Sequence, residues 1–374
     1  MNMKFTIEKS IILEGLSNVT RAISTKNVIP VLNGIKFELT NNGLYLTASD
    51  SELTIKVLIE SKEIKEISSL GGIIIQSKYI LDIVRKMPSD LINFEVIDGL
   101  KIKIYTDNNQ YNLNCLDIND YPDVKLEENK DPIIINGEVF KTIINQTVFA
   151  ISNQELRPIL TGVNFKFTKD VLETVATDSY RLAKKNIKLA SPVEKDVEIV
   201  IPGKNIMELE RIITDESDIE MHIFNNKVLF KYKNINFQTN ILSGNYPNTS
   251  NLIPSEFAYI VKVNKKDFND AIDRAALLTQ GKDKNIVKMT LENTKMTINS
   301  YASEIGKVEE QLTVETNNKE RLEISFSSKY MLEAIKTLGE EEILLLLNSD
   351  VKPLIIKSLT DESLIQLILP IKTY

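Results

Sequence analysis

The chain has 374 residues, a formal net charge of −7, and apolar and charged fractions of 43% and 26%. This composition is typical of a globular protein in water, and the length exceeds one ordinary hydrophobic core, so we expect two or three domains. No apolar run approaches the roughly 18 residues of a membrane helix, which argues against a membrane-spanning protein. The negative charge argues against a protein coated by nucleic acid on every face, but it allows a local basic surface.

The N-terminal stretch MNMKFTIEKSIILEGL interrupts its apolar residues with Lys4, Glu8 and Lys9. This pattern does not fit a signal peptide, which needs a continuous apolar region. Cys115 is the only cysteine, so no internal disulfide can form, and a reducing compartment fits the chain. The sequence therefore predicts a cytoplasmic protein.

Three kinds of predicted element recur along the chain. An amphipathic helix is predicted at 10–24, 138–152 and 267–279. A pair of half-buried strands is predicted at 34–50 (GIKFELTNNGLYLTASD), 162–178 (GVNFKFTKDVLETVATD) and, more weakly, 287–300 (VKMTLENTKMTINS). A strand followed by a small residue, a lysine and a second helix is predicted at 73–87, 199–213 and 324–338.

The three elements share one spacing. Asp178 follows Asp50 by 128 positions (178 − 50), and the shared lysines Lys78, Lys204 and Lys329 are 126 and 125 positions apart (204 − 78 and 329 − 204). A fixed period in three element types indicates an internal repeat. We therefore predict three homologous α+β domains with antiparallel sheets, at residues 1–125, 126–250 and 251–374. Polar linkers that each contain Tyr-Pro are predicted at 120–131 and 245–257.

Residues with catalytic potential are sparse. The one histidine, His222, lies in a strand-like run, where a packed side chain is a commoner role than a ligand. Cys115 is interpreted as a small buried apolar side chain, and we expect neither a metal nor a cofactor. Asp50 and Asp178 leave a two-carboxylate hydrolase open, but both end predicted strands, where an aspartate commonly caps a turn. Ser77 and Ser328 are predicted to be N-cap residues of the second helices.

Several segments together resemble one known family. They are MKFTIEK, PVLNGI, RPILTGVNF, VATDSYRLA, VIPGKNIMEL, GNYPNTSNLIP, AIDRAALL, SFSSKYMLEAI and QLILPIKTY. They are similar to the bacterial DNA polymerase III β subunit, the sliding clamp that acts as a processivity factor, and the resemblance covers essentially the whole chain. It implies a ring-shaped homodimer with sheets outside and helices around a central hole. Such a ring encircles duplex DNA, slides without sequence specificity and has no catalytic activity of its own.

The resemblance also implies partners and DNA contacts. The partners are double-stranded DNA, a second copy of the chain, the replicative polymerase, the clamp loader and other proteins carrying a clamp-binding peptide; no membrane is involved. By position, Lys26, Gln154 and Lys204 correspond to DNA contacts, although each is also compatible with a solvated surface residue. The predicted helices and their edges carry 13 basic and 9 acidic residues, a net of +4 (13 − 9) on an acidic chain. A mildly positive lining attracts phosphates without reading bases.

Two further surfaces follow from the resemblance. Tyr111 and Leu113 match the dimer-interface strand of the first domain, and Leu277 and Leu278 match the apolar patch of the third, where a simple helix core is the alternative. A peptide pocket between the second and third domains is implied for Leu160, Thr177, Ser179, Tyr180, Arg181, Leu182, Pro247, Leu252, Val351, Pro353, Leu367, Ile368, Leu369, Pro370, Ile371 and Lys372. Arg181 and the turn hydroxyls are expected to hold the peptide backbone, with a structural pair between Arg181 and Asp178 as the alternative.

This sequence departs from some family members at two pocket positions. Asn251 stands where some relatives have a basic residue, and Tyr180 stands where some have histidine, so polar peptide contacts through those side chains are not expected here. Two other functions stay open. One is a monomeric three-domain scaffold that binds peptides without encircling DNA, and the other is the two-carboxylate hydrolase.

Overall fold

The computed structural model describes residues 3–24, 27, 29–98, 100–154, 156–279 and 285–372. The chain forms two compact units, which divide it differently from the sequence repeat. The first unit contains the residues up to 138 together with 208–241, and the second contains 139–207 together with the residues from 242 onward. Because the middle repeat contributes to both units, each unit is described by itself.

The described part of the chain is mostly strand. The strands are β1 Lys4–Glu8, β2 Gly34–Thr40, β3 Gly43–Ser49, β4 Leu53–Glu60, β5 Ile64–Ser69, β6 Gly71–Gln76, β7 Leu91–Ile97, β8 Lys101–Tyr105, β9 Gln110–Asn114, β10 Ile133–Asn136, β11 Gly162–Thr168, β12 Val171–Thr177, β13 Arg181–Lys188, β14 Val197–Pro202, β15 Asp218–Ile223, β16 Lys227–Tyr232, β17 Ile235–Asn240, β18 Tyr259–Asn264, β19 Ile286–Glu292, β20 Lys295–Ala302, β21 Gly306–Thr313, β22 Glu315–Thr316, β23 Leu322–Ser327, β24 Glu342–Leu347, β25 Leu354–Ser358 and β26 Leu364–Ile368.

The helices are short. The α-helices are α1 Lys9–Val19, α2 Ser77–Lys86, α3 Gly137–Thr147, α4 Gly203–Ile212, α5 Lys265–Ala276 and α6 Ser328–Lys336. Short 3-10 turns are found at Thr20–Ala22, Pro30–Asn33, Ser61–Glu63, Ile118–Asp120, Val148–Ala150, Pro158–Thr161 and Ser250–Leu252.

The order of these elements repeats three times. Each repeat runs strand, helix, several strands, helix and three final strands, as in β1–α1–β2 to β6–α2–β7 to β9. The second repeat runs from β10 to β17 and the third from β18 to β26. Within the described residues, β5 of the first repeat and the two-residue β22 of the third have no counterpart in the second. The predicted α+β class with antiparallel sheets and two helices per repeat is confirmed.

The first unit contains two antiparallel sheets. One is ordered β5-β1-β7-β8-β9, and the other is ordered β10-β15-β16-β17-β4-β3-β2-β6. The larger sheet joins two repeats, because β4 of the first pairs with β17 of the second. Phe5, Phe37 and Phe94 are buried, and the rings of Phe5 and Phe94 stack with centroids 4.9 Å apart. The alternation of apolar and polar residues in β2 and β7 directs these rings inward.

The second unit has the same design. Its larger sheet is ordered β14-β11-β12-β13-β26-β25-β24-β18-β22, and its smaller sheet is ordered β21-β20-β19-β23. The larger sheet again joins two repeats, here through β13 of the second and β26 of the third. The third strand after each opening helix thus pairs with the last strand of the following repeat. Within the described residues, the strands left at sheet edges by this rule are β9 and β21.

The chain leaves the last strand of every repeat in the same way. The backbone N–H of Leu116 donates to the carbonyl of Ile74 at 3.0 Å, and that of Leu242 donates to Val200 at 2.8 Å. In the third repeat the N–H of Ile371 donates to the carbonyl of Ser325 at 2.7 Å. The C-terminal segment is therefore the third example of a segment that, after the last strand of a repeat, crosses back and bonds to the edge strand of a sheet.

The predicted N-cap serines were wrong by one residue. Ser77 and Ser328 are the first helical residues, and their hydroxyls donate to the carbonyls of Asn33 at 2.7 Å and Asn285 at 2.9 Å. In α6 the N-cap is Ser327, whose side chain accepts from the N–H of Tyr330. Both hydroxyls donate to carbonyls that are distant in sequence, and because each serine is already the first residue of its helix, it does not occupy the capping position.

Candidate functional site

The 177–181 turn closes the strand pair β12–β13. The carboxylate Oδ1 of Asp178 accepts from the backbone N–H groups of Tyr180 at 2.9 Å and Arg181 at 3.0 Å. In the first repeat, Asp50 Oδ1 accepts in the same way from Glu52 and Leu53. The prediction that both aspartates cap turns is confirmed. Because the capping oxygens are committed to backbone donors, the geometry gives no support to a pair of catalytic carboxylates.

The predicted pocket residues fall into a buried set and an exposed set, all of them in the second unit. The buried side chains are Leu160, Thr177, Arg181, Leu182, Leu367 and Ile368. The exposed or half-buried side chains are Ser179, Tyr180, Pro247, Leu252, Val351, Pro353, Leu369, Pro370, Ile371 and Lys372. The structure therefore brings most of the predicted residues to one region, as a floor and a rim.

An apolar cluster forms the floor. Leu182 and Leu367 lie directly opposite each other on β13 and β26 and pack with Val175, Leu346 and Ile355. The 245–257 linker covers part of this cluster with Tyr246, Ile253 and Phe257. The exposed apolar rim therefore stands on a rigid base, since packed core side chains resist displacement.

Tyr246 anchors the linker to the 177–181 turn. Its hydroxyl oxygen accepts a hydrogen bond from the backbone N–H of Thr177 at 3.1 Å. Burial raises the pKa of the Tyr246 phenol well above its usual value, because the charged form loses its hydration. Tyr246 was not among the predicted site residues, although it belongs to the Tyr-Pro pair that is common to both linkers. Tyr121 is the matching buried tyrosine of the first linker.

The rim exposes large apolar side chains from four separate segments. Tyr180 is 61% exposed, Val351 51%, Leu252 49% and Leu369 36%. The N–H of Leu369 donates to the carbonyl of Tyr180 at 2.8 Å, so the turn and the C-terminal segment are joined by backbone. Isolated exposed apolar residues are ordinary, but several around one buried apolar floor indicate an interaction surface.

A cavity of about 380 Å³ lies beside the C-terminal segment. Its lining includes Val351, Ile371, Lys372, Ser325 and Asp350. The cavity thus extends the apolar rim toward a polar end, which carries the positive charge of Lys372 and the negative charge of Asp350.

Arg181 lies on the other face of the sheet from Leu182. Its side chain is 5% exposed, its Nε donates to Asp178 Oδ2 at 3.1 Å, and a terminal nitrogen is ion-paired with Glu333 of α6. This placement does not support the expectation that Arg181 holds the peptide backbone, because adjacent residues in a strand point to opposite faces and the guanidinium is buried on the face away from Leu182. The alternative, a pair with Asp178, is the arrangement found.

The junction between the first and second repeats provides an internal comparison. The pair that matches Leu182–Leu367 in register is Thr54–Gln238, and Tyr180 corresponds to Glu52. The two junctions share the capping aspartate and the strand pairing. They also share the left-handed residue of the turn, with φ of 77° at both Ser51 and Ser179. Only the later junction places apolar residues on this scaffold, so its apolar surface is not required by the fold.

Of the three predicted DNA contacts, the two that the structure describes lie in the second unit. Gln154 is an exposed loop residue whose N–H donates to the Ser152 hydroxyl at 3.1 Å. Lys204 is exposed in the first turn of α4. Lys26 lies outside the described residues.

The predicted interface residues occupy sheet edges and helix ends. Tyr111 and Leu113 lie on the edge strand β9, where Tyr111 is 41% exposed. Leu277 directly follows α5 and is 62% exposed, and Leu278 is half-buried. Leu277 is therefore not part of the helix core, which was the alternative interpretation.

His222 and Cys115 have structural surroundings. His222 is 1% exposed, and its Nδ1 accepts from the backbone N–H of Asn129 at 2.8 Å, as expected for a packed strand histidine. Across the described residues, no three His, Cys, Asp or Glu side chains are grouped closely enough to hold a metal ion. In the same part of the chain, no helix is long and apolar enough to cross a membrane.

Burial raises the pKa of the Cys115 thiol to about 12. Because only the thiolate is a good nucleophile, we expect negligible alkylation by iodoacetamide at pH 8 in the folded protein and rapid alkylation in urea. Mass spectrometry of both samples measures this. Equal labelling with and without urea would contradict the buried placement.

Three edge-joined copies of one α+β domain, with an exposed apolar surface at one junction and the edge strands β9 and β21 left out of the pairing between repeats, define a protein of the DNA-clamp class. Comparisons with known proteins agree. The DNA polymerase III beta subunit family matches as its N-terminal domain over residues 3–125, its central domain over 134–248 and its C-terminal domain over 250–372. The chain belongs to this family, and its function is that of a sliding clamp.

Individual relatives are similar over their full length. The beta sliding clamp of Bacillus subtilis is 40% identical over 378 residues, with all of both chains covered. That of Staphylococcus epidermidis is 36% identical over 377 residues with the same coverage. Among solved structures, the Bacillus subtilis DNA polymerase sliding clamp superposes with a TM-score of 0.95 at 39% identity, covering 100% of both chains. The DNA polymerase III beta chain of Streptococcus pneumoniae gives 0.95 at 33% identity, covering 99% of this chain and 100% of its own.

Proposed function

We propose that two copies of this chain close head to tail into a ring around duplex DNA and tether the replicative polymerase, the clamp loader and other proteins through a peptide site at the junction of the second and third repeats. The observation that carries this proposal is the edge rule of the fold. Each repeat pairs a fixed strand with the last strand of the following repeat, and in the described chain the rule leaves β21 and β9 each with one unpaired edge. A second copy supplies both missing pairings.

The rule also fixes a register for the contact between copies. Ile55, the third residue of β4, lies opposite Phe237. Ala183, the third residue of β13, lies opposite Gln366. The third residue of β21 is Val308. The strands before the opening helices, β1, β10 and β18, give a common starting point in the three repeats. When the paired residues are followed from strand to strand, the position that leads to Phe237 in the second repeat and to Gln366 in the third leads to Tyr111 on β9 in the first. Val308 is therefore placed opposite Tyr111 of the second copy, with Lys307 opposite Asn112.

A pair of cysteines tests this register. Lys307→Cys with Asn112→Cys is expected to give a disulfide-linked dimer under mild oxidation, because directly opposite residues have Cβ atoms about 5 Å apart. Gln311→Cys with Asn112→Cys is the matched control, since it lies four residues along the same face, roughly 13 Å away. Non-reducing electrophoresis measures the product. Equal or faster linking of the control pair would overturn the register.

Encirclement is supported by the weak DNA contacts that a sliding protein requires. A clamp must move along the duplex, so phosphate contacts that are weak and free of sequence information are suitable. We propose that Lys26, Gln154 and Lys204 supply such contacts. Retention then depends on closure of the ring.

This dependence on topology can be measured directly. Dimers loaded onto a closed plasmid by a bacterial clamp loader are expected to stay bound, and to leave rapidly once a restriction enzyme cuts the circle. Gel filtration of the DNA before and after cutting gives the retained fraction. Equal retention on cut and intact DNA would refute encirclement, and a monomeric mass in solution would favour the scaffold alternative.

The peptide site is supported by the contrast between the two junctions. The rim residues Tyr180, Leu252, Val351 and Leu369 surround a packed floor. At the earlier junction the polar residues Glu52 and Asn240 make the backbone hydrogen bond that matches the one between Tyr180 and Leu369. A short segment with a few apolar side chains fits such a surface, and backbone groups of the C-terminal segment are available to orient it. Arg181 supports the turn from behind instead of contacting the peptide.

We propose that the chain has no catalytic activity of its own and acts in the cytoplasm, without a cofactor. Asp178 is committed to its turn, and His222 is committed to a backbone donor. The domain boundaries that we propose are 1–125, 126–250 and 251–374. A hydrolytic activity that disappears in Asp178→Asn would favour an enzyme instead.

A further inference from the structure

Arg181 links the 177–181 turn to α6 across the sheet. It is ion-paired with Asp178 and with Glu333, and its guanidinium carbon lies 4.3 Å from the ring centroid of Tyr330 and 5.5 Å from that of Phe149. The same Asp178 carboxylate caps the turn that carries Tyr180, so a continuous chain of contacts runs from α6 to the tip of the turn. Charge-assisted bonds to a planar guanidinium are strong and directional, so these part-buried bonds restrain the side chains that they join.

The earlier junction has an equivalent ion pair with a different donor. Glu208 and Glu333 are each the sixth residue of their helices, α4 and α6. Glu208 accepts from Arg21 at 2.9 Å, and Arg21 lies in the 3-10 turn after α1. In both junctions, then, a glutamate on the later repeat holds an arginine from the earlier one.

The two junctions exchange the positions of the arginine and an apolar residue. The residue that corresponds to Arg21 in the second repeat is Phe149, the middle residue of the 3-10 turn after α3. The residue that corresponds to Arg181 in the first repeat is Leu53, the first residue of β4. An ion pair that only joined the two repeats could use the helix position, as Arg21 does. Only the strand position connects the glutamate to the turn.

The peptide surface needs that connection because it is assembled from two repeats. Tyr180 belongs to the second repeat, whereas Val351 and Leu369 belong to the third. The aspartate cap alone shapes the turn, since Asp50 caps the matching turn, which is followed by Leu53 and not by an arginine. The backbone bond from Leu369 to Tyr180 already joins the turn to the C-terminal segment, and Glu333 adds a side-chain contact that restrains the same turn from α6 of the third repeat.

We propose that Glu333 is a positioning residue for peptide binding, which it serves by holding Arg181 and hence Tyr180 in register with the C-terminal segment. This inference rests on the proposed peptide site. Without Glu333, Tyr180 and the C-terminal segment sample other relative arrangements. The apparent affinity for the peptide then falls in proportion to the fraction of molecules in the arrangement that can bind it. Such a loss appears mainly in the association rate, whereas loss of a direct contact appears mainly in the dissociation rate.

The test compares three variants of the full-length dimer. Glu333→Gln removes the charge, and Glu208→Gln is the matched control at the earlier junction. Arg181→Leu with Phe149→Arg transplants the earlier junction's arrangement, so that the ion pair with Glu333 can form without the turn. The probe is a fluorescein-labelled octapeptide with two leucines and a phenylalanine, chosen by display for binding the wild-type dimer. Stopped-flow anisotropy gives both rate constants, and thermal unfolding reports the fold.

Glu333→Gln and the transplant are expected to lower the association rate constant about tenfold and to change the dissociation rate constant by less than about twofold. Glu208→Gln is expected to match the wild type. Wild-type association in Glu333→Gln, or a loss confined to dissociation, would overturn the inference. If the transplant does not fold, Glu333→Gln alone decides.

One further variant separates this inference from the proposed site. Tyr180→Ser is expected to raise the dissociation rate constant. If Tyr180→Ser binds like the wild type, the peptide site itself is wrong. If Tyr180→Ser weakens binding while Glu333→Gln does not, the site stands and the positioning role is wrong.

Discussion

Leu277→Asp combined with Leu278→Asp is expected to convert the dimer into folded monomers. Leu277 is 62% exposed in the single chain, so an aspartate there stays hydrated and the fold is preserved. In the proposed interface the same carboxylate becomes buried without a partner, at a cost of about 3 kcal/mol or more. For the pair, the dissociation constant of the dimer is expected to rise by at least about a thousandfold.

Sedimentation velocity at micromolar concentration measures this effect. Val171→Asp is the control, because Val171 is also an exposed apolar residue, 40% exposed, but lies away from β21 and α5. The control should remain dimeric, and both proteins should give the same circular dichroism. An intact dimer in the double variant would place the interface elsewhere.

Tyr180→Ser combined with Leu369→Ser is expected to abolish high-affinity peptide binding while leaving the dimer and its retention on circular DNA unchanged. Both side chains belong to the exposed rim, 61% and 36% exposed, so the fold loses little. Covering such a residue with a ligand contributes roughly 1–2 kcal/mol, part of the value for full burial. The pair should therefore weaken binding by about 30-fold or more.

Titration calorimetry with the same octapeptide provides the measurement. Glu52→Ser is the matched control, because Glu52 occupies the position of Tyr180 at the earlier junction. Its affinity should equal that of the wild type. Peptide binding unchanged by the double substitution would remove the rim from the site and leave the function of the apolar surface open.

The features that the sequence predicts best are those that depend on nearby residues. Asp50 and Asp178 cap turns because their carboxylates reach backbone donors two and three residues ahead. The helices and strand pairs were likewise visible as local periodicity. The serine caps failed because a local pattern locates the start of a helix only to within about one or two residues, and Ser77 and Ser328 are the first residues of α2 and α6.

The arrangement of the site depends on contacts that no local pattern contains. Arg181 and Leu182 alternate along β13, but both faces of that strand are covered, so the sequence did not reveal which side chain faces the helices. Glu333 was missed for the same reason, because its partner is 152 positions away in the chain. The joining of sheets between repeats also depends on edges that meet only in the folded protein.

The edge rule has a consequence for how such assemblies can be divided among polypeptides. The hydrogen-bonded seams β4–β17 and β13–β26 do not require that their two sides belong to one molecule, since the linkers add covalent continuity and no ladder bonds. An isolated middle repeat would carry both complementary edges, and copies of it could add to one another without limit unless their curvature closed the series. Fusing three repeats into one gene product makes four of the six seams of the assembled ring unimolecular, and only the remaining two depend on protein concentration.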